Sequence, residues 1–186
     1  MKVFSSIIKA ILIMILFGSG SSVFGQKVQN FLNQLKPGEW VDIEGVAQKD
    51  YTIILKEIEV VRGEVDSDEW EISGPVSGVL PKEKQIFLLN LPIKFDKDAE
   101  FEDDYDVIKS FSDIKPGLYV EMEGVYIQDS VFIANEIGSD KVSDNEVKNI
   151  EWSAQVEKVN PESKSIVVLG HTIIFTDETI IKSLMH

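Results

Sequence analysis

The chain has 186 residues, 44% hydrophobic and 27% charged, a globular composition too apolar for wholesale disorder. Its 18 basic and 32 acidic side chains give a formal charge of −14, which repels phosphate backbones, so nucleic acid is not expected as a partner. It has no cysteine and two histidines, which excludes disulfides, thiolate zinc sites, a thiol nucleophile and a lipidated N-terminal cysteine.

Residues 1–25 predict a secretory signal. Lys2 and Lys9 flank an unbroken apolar run at residues 10–17, and residues 18–22 are small and polar. Val23 and Gly25 then stand at the −3 and −1 positions of a cut before Gln26. The run is shorter than the roughly 20 residues that span a bilayer, so the alternative is an uncleaved N-terminal anchor. No later segment is apolar enough to span. Cleavage removes two lysines and no acid, leaving 161 residues with a formal charge of −16. That length allows one domain or two small ones. An exported chain without cysteine must be stabilised by packing, which favours a bacterial periplasm or exterior.

Further elements follow in order. Residues 28–35 read as a helix, and residues 40–58 as two strands. After a linker at 61–70, residues 71–80 read as a strand, 81–84 as a turn, 85–89 as an apolar strand, 90–92 as a turn and 93–95 as the next strand. Val107, Ile108, Phe111 and Ile114 are spaced for a short helix over 105–114, ended by Pro116 and Gly117. In the strand at 118–125, Leu118, Val120 and Met122 alternate with Tyr119, Glu121 and Glu123. Residues 130–137 give another strand, and 140–147 a second linker. Residues 150–176 read as three strands, and 178–185 as helix-like.

Two internal repeats organise these elements. Residues 35–58 align without a gap on 114–137, with 11 identities in 24. Residues 71–95 align without a gap on 151–175, with 10 identities in 25. The second type forms the front half of a unit and the first type its back half. The order along the chain is back, front, back, front. Residues 71–139 therefore form one continuous module of three strands, a helix and a two-strand hairpin, the order of a five-stranded OB barrel. The outer halves, 27–60 and 148–185, are complementary orphans, and neither can bury its own apolar face or close its sheet edges. The expected fold is all-β: two small OB-like barrels, each with a short helix, the second a circular permutant closed by packing 40–58 against 152–175. The alternative closure exchanges halves between two chains in a dimer.

The pattern Lys-Pro-Gly-x-x-Val-x-x-Glu-Gly at residues 36–45, with its counterpart at 115–124, resembles a bacterial exported family of OB-like repeats known only as a domain of unknown function (DUF5666). Gly38, Gly45, Gly117 and Gly124 match its pattern. Thr179 fits the family's usual threonine after the third strand, while Ala99 departs from it. The resemblance implies a fold and export, and no chemistry.

Several residues are candidates for a site. Asp96, Asp98 and Glu100 open an acidic segment, 96–106, whose spacing starts like a calcium loop. Phe101 stands where that loop needs glycine, and Val107 where it needs a bidentate glutamate. The plainer reading is a solvated acidic loop, with Asp103, Asp104 and Asp106 favouring the start of the next helix through its dipole. Trp40 and Tyr119 are repeat equivalents sharing a face with Asp42, Glu44, Glu121 and Glu123. Exposed, such a face would bind sugars or cations; otherwise the rings cover a barrel end or a module contact. Trp70 and Trp152, at strand starts, read as core or interface.

No catalytic constellation is visible. There is no cysteine, no G-x-S-x-G and no H-E-x-x-H; His171 reads as a turn residue and His186 is terminal. The function expected is that of a non-catalytic exported protein that binds a protein, envelope or matrix partner. The alternative is a glycan- or cation-binding carrier. No cofactor is expected beyond possible use of calcium.

Overall fold

A computed structural model describes residues 23–62, 70–102, 107–127, 131–139 and 149–182. Most of the proposed signal, most of both linkers and Asp103, Asp104, Asp106 and His186 lie outside the described residues. Among the described residues the chain is mostly β, with eleven strands, one α-helix and one short 3-10 turn.

A closed five-stranded barrel is built from β3 (Trp70–Leu80), β4 (Gln85–Leu88), β5 (Leu91–Phe101), β6 (Tyr119–Ile127) and β7 (Val131–Ser139). β3, β4 and β5 form an antiparallel meander. β5 pairs with β7 in parallel, β7 with β6 antiparallel, and β6 returns to β3. Ile72, Val120, Met122, Phe132 and Ile137 alternate inward along the strands and fill the interior.

The turn between β4 and β5 is tighter than the sequence suggests. Leu89 and Asn90 both have positive φ, 48° and 74°, so a two-residue turn suits the strand twist and β5 begins at Leu91. Leu169 and Gly170 repeat it with 49° and 75°.

The remaining strands come from the two ends of the chain. Helix α1 (Val23–Gln34) leads into β1 (Trp40–Ala47) and β2 (Ile53–Val60). β8 (Asn149–Asn160), β9 (Ser165–Val168), β10 (His171–Ile174) and β11 (Ile180–Lys182) follow the barrel. β1 pairs with β2 and, from Trp40↔Gln155 to Val46↔Asn149, with β8. β8 pairs with β9, β9 with β10, and β10 with β2. The association expected between residues 40–58 and 152–175 is thus present within one chain.

Two expectations are corrected. The described part of residues 178–185, up to residue 182, does not start a helix: Ile180–Lys182 is a strand parallel to β2, with Ile181 buried. It pairs Ile180 with Glu57 as the end of β5 pairs Glu100 with Glu136, so it is a detached second half of the third strand. Among the described residues of 105–114, those from 107 on, only Phe111–Asp113 is helical, as a 3-10 turn. The Asp113 carboxylate accepts from Lys109 N–H (3.1 Å) and Ser110 Oγ–H (3.0 Å), beside the 3-10 bonds of Asp113 N–H to the Ser110 carbonyl (3.0 Å) and Ile114 N–H to the Phe111 carbonyl (3.3 Å). The barrel β3–β7 therefore has no α-helix among its described residues, against the expectation of one per module.

Candidate functional site: an acidic cleft at a strand seam

β3 and β8 are joined by one short antiparallel ladder, Ile72↔Trp152 and Ser73↔Glu151. Side chains reinforce this seam. The Tyr126 hydroxyl donates to the Ser153 carbonyl (2.8 Å), and Ser153 Oγ donates to Asp42 (2.6 Å). Burial pushes the Tyr126 hydroxyl pKa far up, so Tyr126 remains a donor.

On the outer face a row of glutamates crosses the seam. Glu100 faces Glu136, and Glu136 faces Glu123. Glu123 faces Glu71. Beyond the seam Glu151 faces Glu44, and Glu44 faces Glu57. Strand alternation puts these residues outside because their neighbours fill the core. Like charges directly opposite one another destabilise a sheet, so these pairs do not themselves stabilise the ladders.

Around the seam this row widens into a cleft of about 260 Å³ lined by Asp42, Glu44, Glu57, Glu59, Glu71 and Glu151, with Ser153 and Lys182 at its wall. Lys56 pairs with Glu44 (2.8 Å) and Lys182 with Glu57. The Glu57 contact raises the Lys182 pKa. Two lysines do not balance six carboxylates, so the cleft is strongly negative. Partial burial, a hydrogen bond with Glu121 and the charges of Glu121, Glu151 and Glu123 push Glu71 up to about 7. Glu136, farther along the row, is also raised, by desolvation and then by Glu102, Glu123, Glu100 and Glu121.

The sequence candidates divide. Asp42 lines the cleft, and Glu121 hydrogen-bonds Glu71 at its edge. Trp40 is half-buried and stacks on Trp70. Tyr119 is only 7% exposed, and its hydroxyl bonds Ser73 (3.0 Å). The open aromatic platform considered for Trp40 and Tyr119 is not present, because Tyr119 is buried with its hydroxyl on Ser73 and Trp40 is stacked on Trp70. Trp152 is buried, its ring 5.1 Å from that of His171. His171 is a strand residue, not a turn residue, and its Nδ1 is tied to the Tyr51 carbonyl (3.1 Å).

Asp96, Asp98 and Glu100 lie along β5 beside a shallow hollow that also touches Glu123 and Glu136. Asp96 accepts the Asp98 N–H (3.0 Å), and Asp98 pairs with Lys97. Among the described residues no three acidic or histidine side chains converge closely enough to hold a metal ion.

Sequence reasoning did not single out Glu71, Glu151, Glu57 or Glu136. A signal was available: Glu71/Glu151, Glu44/Glu123 and Glu57/Glu136 are identical acids at repeat-equivalent positions.

No helix among the described residues is long and apolar enough to cross a membrane. No curated protein and no solved structure matches the chain. Residues 73–138, within the barrel β3–β7, match the family described as Domain of unknown function (DUF5666). The continuous barrel of this chain is thus similar to a DUF5666 domain.

Proposed function

We propose that this is an exported, non-catalytic binding protein of two OB-type barrels, the second a circular permutant assembled from the ends of the chain. It docks a protein or envelope component through the acidic cleft. The observation that carries this reading is the glutamate row, which runs across strands of both halves. An uncompensated charge row costs folding stability, and a cationic partner would relieve it. The commitment of His171 to a backbone carbonyl and the lack of a cysteine support a binding role over catalysis. The partner is a basic surface of a protein or an envelope polymer.

The test is carbodiimide crosslinking in the native envelope, comparing wild type with Glu44→Gln/Glu151→Gln. The expected result is a basic peptide joined to cleft glutamates, weakened by salt and lost in the variant. Identical adducts from the variant would sink the reading.

A carrier of small cations or glycans is the second reading, favoured by the crowding of Glu71, Glu121, Glu123 and Glu151. Excess calcium would then raise the melting temperature, and an unchanged value removes the calcium form of it.

A further inference from the structure

A cut before Gln26 would fall inside α1, and a set of residues that anchor this helix lies after the cut. Val28, Leu32 and Leu35 are buried. Phe31 packs its ring 5.9 Å from Phe175, and Lys27 Nζ donates to the Ile181 carbonyl (3.4 Å). Cleavage would leave the helix docked, with Gln26 as its first residue and its side chain exposed. The first N–H groups of a helix have no intrahelical acceptor, so the freed α-amine has no helical bond to break before reacting.

We propose that Gln26, once exposed by signal cleavage, closes to an N-terminal pyroglutamate; this rests on the export reading. The unprotonated α-amine attacks Cδ of its own side chain. A bond forms from the α-nitrogen to Cδ, the Cδ–Nε2 bond breaks, and Nε2 leaves as ammonia. No oxidant or co-reactant is needed, and the nitrogen becomes a neutral lactam. Two features of the site favour this. A cationic amine at a helix N-terminus is opposed by the macrodipole, and the adjacent Lys27 adds like charge. Both lower the fraction of protonated, unreactive amine, and the lactam removes the conflict. The docked helix then ends in a blocked group that aminopeptidases cannot take.

The experiment is intact-mass analysis of the protein recovered from the exported fraction of cells expressing the full chain. The expected mass is that of residues 26–186 less one ammonia, with an end that resists Edman degradation until pyroglutamyl peptidase is added. In Gln26→Ser the ammonia loss should vanish and Edman degradation should start at residue 26. A wild-type mass of residues 26–186 with a free amine overturns the cyclisation and leaves the cleavage reading intact. Any other N-terminus overturns both.

Discussion

Trp40 and Trp70 stack face to face, ring centroids 3.7 Å apart and planes 5° from parallel. One ring belongs to β1, from the N-terminal segment, and the other to β3, the first strand of the barrel. Tyr126 closes the group at 5.5 Å from Trp40 and 6.4 Å from Trp70. With the Tyr126–Ser153 hydrogen bond, this clasp extends a β3–β8 ladder only two residue pairs long.

Truncating Trp70, which is 6% exposed, should cost about 3–5 kcal/mol in urea unfolding. Trp40→Ala should cost less, since its ring is only half-buried. A face-to-face pair forfeits the quadrupole gain of offset geometry, so the coupling should fall near the low end, about 0.5 kcal/mol. A double-mutant cycle measures it. Strictly additive losses would mean that the rings touch without supporting each other.

The two motif glycines of each repeat act differently, and this can be measured. Gly117 has φ +92° and open space where a Cβ would stand, so only backbone strain opposes a side chain. Gly124 follows a bulge in the β6–β7 ladder, and a Cβ there would lie 2.1 Å from the Ile133 carbonyl oxygen and 2.9 Å from Ala134 Cα. Backbone cannot step aside as a side chain does. Gly117→Ala should therefore cost about 1 kcal/mol and Gly124→Ala about 3 kcal/mol or more. Equal melting shifts for the two variants would contradict the close-approach reading.

These glycines also show what could be read in advance. The spacing of the repeat reports backbone geometry: a left-handed turn at Gly38 and Gly117, then a bulge at Gly45 and Gly124. Strand positions and the meeting of the chain ends followed from that repetition together with alternation. The end of the third strand did not. Residues 180–182 pair with β2, a partner about 120 positions away, and their local pattern carries no trace of it. The apolar spacing at 107–114 is that of a helix, but the Asp113 carboxylate takes the Lys109 N–H, a backbone donor that a helix would need. The cleft stayed hidden because each glutamate looks like an ordinary exposed strand residue until the ladders set them side by side.

Glu71 makes the stability of the seam depend on pH. Its carboxyl sits at about 7 in the folded chain against an ordinary value of 4.5. The folded state binds this proton more tightly, so the penalty for ionising it is absent below about pH 4.5, grows as pH rises, and is complete above about pH 7. A shift of this size corresponds to about 3 kcal/mol at most, and solvent screening at a partly exposed site reduces the expected effect to about 1–2 kcal/mol. Glu71→Gln should therefore stabilise the protein at pH 8 and change little at pH 4.5. Denaturation at both values checks this, and a Gln variant no more stable than wild type at pH 8 would refute the crowding.

Thr179 and Ala99 hold equivalent places before the last segment of the third strand in each half, and only one of them carries a hydroxyl. Thr179 is buried; its Oγ1 donates to the Leu55 carbonyl (2.9 Å) and accepts from Thr176 N–H (2.9 Å). Valine keeps the shape and leaves both backbone groups unmatched, so Thr179→Val should cost about 1–3 kcal/mol. Ala99 borders the open hollow on β5, where an added hydroxyl has room. Ala99→Thr should be tolerated, with a gain of up to about 1 kcal/mol if the repeat equivalence extends to this bond. Thermal unfolding of the two variants tests whether the threonine pins β11 to β2. A Thr179→Val protein that melts with the wild type would show that Ile181 burial and the Lys182–Glu57 pair hold that strand by themselves.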